Sequence, residues 1–276
     1  MRTGQKLRNL IHTALFTIND ELHYRSFYIL TIISVLFVIM LRGCFSSDMF
    51  VNGQRVDSVT MGWHASLWAF HLISAAGVLI AVLLSMRVFR RDRENGMAVS
   101  VLSKPVSRIQ YVSGKITGIF LLSYGFTFIL HFSVYLIMLF NTGGRIAWFL
   151  PASMIVAFNI FFAVVSVSFF AFLMPDVIAA LLGIGIAVIS FAMDSFYALA
   201  QSQAARSIIG MQEEIKTSLW VMLWPKLTAL QYYATSLIQD TVFRSSSPVH
   251  PALNVALYSA GFYLFLVWRF DREEIF

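Results

Sequence analysis

Apolar residues run through the chain in long blocks, and the polar residues fall mainly between those blocks. Six blocks, about 26–41, 63–88, 111–140, 149–174, 177–200 and 251–268, each come near the ~20 apolar residues that a bilayer crossing requires. The first 25 residues follow a different rule. Leu7, Leu10, Ile11, Ala14, Leu15, Ile18 and Leu22 recur at helical spacing, with Arg8, Asn9, His12 and Thr13 on other faces. That pattern predicts an amphipathic helix lying in the membrane interface. No apolar core follows the basic start soon enough for a cleavable signal. Between the fifth and sixth blocks, 201–250 carries two shorter helical patterns. One is Ile208, Met211, Ile215, Leu219 and Met222; the other, after Pro225, is Leu227, Leu230, Ala234, Leu237 and Ile238. Neither run spans a membrane alone, so two outer interfacial helices and a re-entrant pair both fit. The expected fold is an all-α integral membrane protein with six transmembrane helices, forming one membrane domain over 1–276.

Composition agrees with that pattern. Hydrophobic residues make up 58% and charged residues 12%, against roughly 25% charged in soluble domains; the mean hydropathy is +0.75. A net charge of +6 brings nucleic acid to mind, yet no nucleic-acid-binding motif is present. The positive charge serves to orient the loops. With both termini in the cytoplasm, 13 of the 20 Lys and Arg residues fall on the inner side. The expected location is the cytoplasmic membrane, multi-pass. Cys44 is the one cysteine, which rules out an intrachain disulfide and a cysteine metal cluster.

The densest charge lies at 89–110, between the second and third blocks. Arg87, Arg90, Arg91, Arg93, Lys104, Arg108 and Lys115 fall in or beside this loop, against Asp92 and Glu94. Gly96 suits the left-handed position that closes a helix. Met97 to Ser103 leaves room for two helical turns, and Pro105 pushes Lys104 out of the α region. Ser107 and Gln110 form an S-x-x-Q capping box that starts the third block. The loop therefore reads as helix end, short helix, break and capped helix start, a handle for something in the cytoplasm.

Glu94-x-Gly96, then Lys104-Pro105-x-Ser107-Arg108, then Gly114-Lys115 resembles the first cytoplasmic loop of ABC-2 type transporter permeases. In particular it is similar to the six-helix, single-domain kind typified by the permease of the nitrous-oxide-reductase maturation system. The likeness in residue type covers about 25 residues, and beyond them it is one of layout. The resemblance implies a coupling helix seated in a cleft of a separate ATPase, with Arg90, Arg91, Glu94, Gly96, Met97, Val101, Lys104, Pro105 and Arg108 at that contact. It implies that ATP and magnesium belong to a cytoplasmic ABC ATPase dimer, with no cofactor in this chain. It also implies a second copy, or a similar permease, packed along the first and fifth spans. There Ala179, Gly183 and Gly185 offer small residues for close approach. In such permeases the segment before the last span caps the path or holds an extracytoplasmic partner.

No residue pattern marks an enzyme. Gly114-Lys115 mimics the tail of a phosphate loop, but Ile109 stands where the first glycine belongs. Zinc-protease and hydrolase motifs are missing. Among polar residues inside the blocks, Arg42 and Asp194 lie at similar outer depth and form a candidate ion pair. His131 and Asn159 read as hydrogen-bonding contacts between helices. His64 and His71 share a face without a carboxylate or thiolate, a weak basis for metal. Met174-Pro175-Asp176 reads as a tight turn, with Asp176 complementing the next helix dipole. The expected function is a permease subunit that couples ATP hydrolysis on another chain to export or conformational work. The alternatives are an ion- or proton-coupled secondary transporter, which calls for an internal repeat and broken polar helices at mid-membrane, and a non-transporting membrane anchor of a larger assembly.

Overall fold

The computed structural model describes residues 2–23, 25–46, 50–51, 54–55, 58–96, 103, 106–143, 146–201, 224–243 and 249–272. Its helices are α1 (Arg2–Leu22), α2 (Arg25–Ser46), α3 (Ser58–Ser85), α4 (Val88–Glu94), α5 (Arg108–Thr142), α6 (Phe149–Leu173), α7 (Asp176–Gln201), α8 (Leu227–Ile238) and α9 (Pro251–Asp271). A minimal antiparallel pairing, Phe50–Val51 with Gln54–Arg55, interrupts the loop after α2. Among the described residues, five helices are long and apolar enough to cross a membrane, and α1 with α2, bent by 72°, makes a sixth crossing if counted as one. The protein is thus an all-α integral membrane protein, apart from that two-residue pairing.

Helix boundaries follow local chemistry. The Ser107 hydroxyl accepts from the Gln110 backbone, and the Gln110 side chain accepts from the Ser107 backbone, completing the expected capping box of α5. At 35 residues, α5 is about 52 Å long by its rise per residue, well beyond the ~30 Å hydrocarbon core. Its first turns therefore extend past the apolar slab at what we call the basic end of the bundle. Gly96 has φ +64°, the left-handed conformation expected of a helix-closing glycine.

The core lies where α3, α5, α6 and α9 meet. Phe70, Phe149, Tyr135 and His131 form one ring cluster in it, with Phe70 stacked on His131 at 4.5 Å. His131 bonds Ser153 through Nδ1 at 2.7 Å and reaches the Phe70 carbonyl through Nε2 at 3.3 Å. Those contacts tie α5 to α6 and to α3, the interhelical role read for this histidine. Along α2, Tyr28, Ile29, Ile32, Ile33, Leu36 and Ile39 remain exposed, and along α7 so do Leu181, Val188 and Phe191.

The seat of α1 is less obvious from its sequence. Its strongest apolar residues, Leu7, Ile11 and Leu15, are exposed, and the face turned to the bundle is Ala14, Thr17 and Glu21. The complementary surface is Gly114 and Gly118 on α5. A Cβ at Gly114 falls 2.6 Å from the Thr13 Cβ, and one at Gly118 falls 2.8 Å from the Ala14 carbonyl oxygen. Small residues on both sides let the two backbones touch. Gly114 is therefore a packing residue, which accounts for the incomplete phosphate-loop pattern around it. Gly118→Leu is expected to displace α1 and destabilise the protein by about 1–3 kcal/mol, the usual cost of overpacking. Gly125→Ala, where a Cβ meets nothing within 4 Å, serves as the control. The check is thermal unfolding in detergent, with backbone hydrogen exchange across 7–22; unchanged exchange in Gly118→Leu would refute this seating of α1.

Candidate functional site

At the basic end, four consecutive residues of α4 point to four different neighbours. Phe89, buried, enters an aromatic cluster with Tyr111 of α5, Phe172 of α6 and Phe270 of α9, at centroid distances of 5.8 to 6.5 Å. Phe270 completes the ring at 5.7 Å from Tyr111 and 5.6 Å from Phe172. Arg90 turns outward to Glu94, at 2.8 Å, and to Asp176 at the head of α7, at 3.6 Å. Arg91 bonds Asp20 and also Glu21, the latter at 2.9 Å, which clamps the end of α1. Asp92, fully buried, accepts from the Tyr111 hydroxyl.

The Lys115 Nζ lies 2.7 Å from Asp92 Oδ2, with both side chains almost fully buried. The contact is a charge pair rather than an aligned hydrogen bond. The Lys115 ammonium also approaches the Phe16 ring of α1, 5.7 Å from its centroid. Burying two charges is unfavourable unless each partner stays in place, and removing one partner leaves the other uncompensated. This arrangement therefore resists any separation of α4 from α5.

Two further contacts close the base. Arg108 donates to the Asp271 carbonyl at 2.6 Å, fixing the start of α5 to the end of α9. The α6–α7 connection is the expected tight turn, with the Ala179 amide bonded to the Pro175 carbonyl at 3.1 Å. Between that turn and α4 opens a cleft of about 330 Å³ lined by Arg90, Ala171, Phe172, Leu173, Met174 and Pro175.

Several sequence-based expectations change here. Of the proposed contact residues, Arg90, Glu94 and Gly96 are exposed at the basic end, whereas Arg91 is turned inward. Arg108 is partly occupied by the chain's own last helix. Met97, Val101, Lys104 and Pro105 lie outside the described residues. Ala179 and Gly183 are buried, and a Cβ on Gly183 falls 2.4 Å from Val167 of α6, so these two serve contacts within the chain. Their spacing of four places them on one helical face, and Gly185, with nothing within 4 Å of its Cβ position, lies on another. Asp194 has a partner the sequence did not suggest: Lys226 Nζ lies 3.1 Å from Asp194 Oδ1. The Arg42 side chain lies outside the described residues. Lys226 sits beside Pro225 at the start of an apolar run, and a lone charge there called for a buried partner. Asp92 and Lys115 carried the same signal, hidden among charges that all looked like loop residues. Among the described residues no group of His, Cys, Asp and Glu is arranged to hold a metal.

No curated protein matches the chain. The ABC-2 family transporter protein profile, however, matches residues 6–275, the charged base, the bundle and the helices beyond it together. The chain belongs to the ABC-2 family of transporter proteins.

Proposed function

We propose that this membrane permease subunit of an ABC transporter converts ATP hydrolysis on a separate cytoplasmic ATPase dimer into movement of its helix bundle. The observation that carries the reading is the anchoring of α4, whose next residues are the contact loop. Two buried charges and an aromatic cluster join α4 to α1, α5, α6 and α9. A push delivered through 97–103 reaches Gly96 and α4, and the buried pair passes it to α5 without slack. Because the base holds helices from both ends of the sequence, the bundle responds as a rigid body. Arg90 and Glu94, exposed beside the loop, meet the ATPase; ATP and magnesium stay on that partner. Both termini lie on the same, cytoplasmic side.

A second copy of the chain, or a similar permease, packs along the exposed apolar ladders of α2 and α7. Gly185 supports that seam, since its open Cβ position leaves room for close approach. Export is the direction we favour, because it is the usual one for permeases of this kind. The segment 201–250 faces the outside, where it caps the path.

Purification from gently solubilised membranes tests this directly. An ATPase at about equal stoichiometry is expected to accompany the chain, and deleting 97–103 is expected to lose it while the membrane protein survives. A chain that never retains an ATPase would overturn the reading. The base makes a separate demand. Asp92→Ala alone is expected to cost about 3–5 kcal/mol, the usual penalty for stranding one buried charge, whereas Asp92→Leu with Lys115→Met recovers most of that stability. Thermal unfolding of the single and double variants measures it; a double variant no more stable than the single would rule out an ion pair as the tie.

A further inference from the structure

Phe89, Arg91 and Asp92 join α4 to α1, α5, α6 and α9. The remaining residue of that turn, Arg90, is the one that reaches α7. Its guanidinium divides two edges between two carboxylates. Nε donates to Glu94 Oε1 of the same helix at 2.8 Å, and Nη1 lies 3.6 Å from Asp176 Oδ2 at the head of α7. The second contact borders open space, the cleft of about 330 Å³ between Arg90 and the wall that Ala171 to Pro175 form. Val177 and Ile178, next along α7, are exposed. At this point a charge, rather than packing, holds the head of α7 to α4.

The joint between α6 and α7 is built to turn. The α6 ladder ends with the Met174 amide donating to the Phe170 carbonyl at 2.8 Å, and the α7 ladder starts with Ala179 on the Pro175 carbonyl at 3.1 Å. Met174 is extended, with φ −137° and ψ 163°, and Pro175 has no amide to carry a bond across. Above the joint, α7 meets α6 through a small residue, Gly183 against Val167. The far half of α7 is anchored instead. The Thr228 amide donates to Ser190 Oγ and the Ala229 amide to Asp194 Oδ2, beside the Asp194–Lys226 pair. A helix anchored at its far end and jointed at its near end swings at the near end, where Arg90 holds it.

We propose that Arg90 is a positioning residue for α7: it holds the head of that helix through Asp176 in the free chain and gives it up to a carboxylate of the engaging ATPase. The proposal rests on the coupling reading above. Arg90 is 55% exposed beside the contact loop and Asp176 14% exposed, and a long, half-exposed pair is weak. A closer acceptor on the partner therefore displaces Asp176, and carboxylates suit the guanidinium fork best. Glu94 keeps the guanidinium in place meanwhile. Release strands no charge, because a carboxylate at the N-terminus of α7 remains favourable there. A partner that takes Arg90 only when α7 is let go has the differential affinity that such a shift requires. The head of α7 then moves at Met174 and Pro175, adding its own motion to that of the rigid base.

The test measures the distance between spin labels at Ile109→Cys, on the base, and Val177→Cys, on α7, in the full chain with Cys44→Ala. Labelled chain is diluted into unlabelled chain, so that distances within one chain are read. Without the ATPase, Asp176→Asn is expected to shift or broaden the distance by about 2 Å or more, the scale of helix shifts at interfaces. Arg90→Gln is expected to do the same, the two together no more than either, and Asp176→Glu to stay close to the unaltered chain. No change in either neutral variant, or two changes that add, overturns the hold. In the complex, ATPase engagement with nucleotide is expected to move the unaltered chain toward the Asp176→Asn distance and to move that variant little, with the ATPase still bound to both. Equal movement in both overturns the release. A chain that never retains an ATPase is a failure of the coupling reading, seen at purification; unchanged distances in a complex that keeps its ATPase are a failure of this proposal alone.

Discussion

The buried contact of Asp92 with Lys115 is the constraint on which the basic end depends. An intramembrane or interface-buried charge is tolerated only beside its opposite. That rule forces α4 onto α5 even though α4 is only seven residues long, too short to be stable alone. Once Asp92 is pinned, helical geometry sends Arg91 toward α1 and Phe89 into the aromatic cluster. Each of these contacts depends on the others, because a shift of α4 by one residue would put Arg91 in the pocket built for Asp92. The start of the contact loop thereby acquires a defined position from residues that never touch the loop.

Much of this architecture was legible in the sequence. Span positions follow from hydrophobic length, and the spans start and stop within a few residues of their expected places, whereas the break at Met86 and Arg87 that sets α4 apart from α3 was not expected. The capping box at Ser107 and the left-handed Gly96 were readable because a cap depends on local chemistry that the chain carries within four residues. The seating of α1 was not readable in the same way. Its apolar residues identify a membrane-facing helix, but which face meets α5 depends on Gly114 and Gly118, about a hundred residues away in the chain. Apolar periodicity says where lipid is welcome and, in a membrane, says little about which face another helix will take.

The ion pairs illustrate the same limit from the electrostatic side. A sequence shows that Asp194 needs a partner, and depth along the spans suggested Arg42. Lys226 is a partner that depth alone did not suggest, because α8 is sunk into the bundle, a placement that the length of its apolar run left open between interfacial and re-entrant positions. Asp92 was lost among seven basic residues, since a charge in a loop needs no explanation until burial supplies one. Small residues show the same limit. Ala179 and Gly183 are read from sequence as a site of close approach; both are turned into the chain, where the close neighbour of Gly183 is Val167 of α6.

The two buried pairs lie at opposite ends of the bundle, and their surroundings differ. Asp92 and Lys115 are embedded among aromatic side chains with a further ion pair alongside, and Asp92 also accepts from the Tyr111 hydroxyl. Asp194 and Lys226 sit in a polar socket, where Asp194 also accepts from the Ala229 amide and Asn254 from the Lys226 amide. Each pair thus ties a short helix to the long ones, α4 at the base and α8 at the far end. A short helix cannot hold its place alone, so a buried charge that requires its opposite fixes where each one sits against the spans.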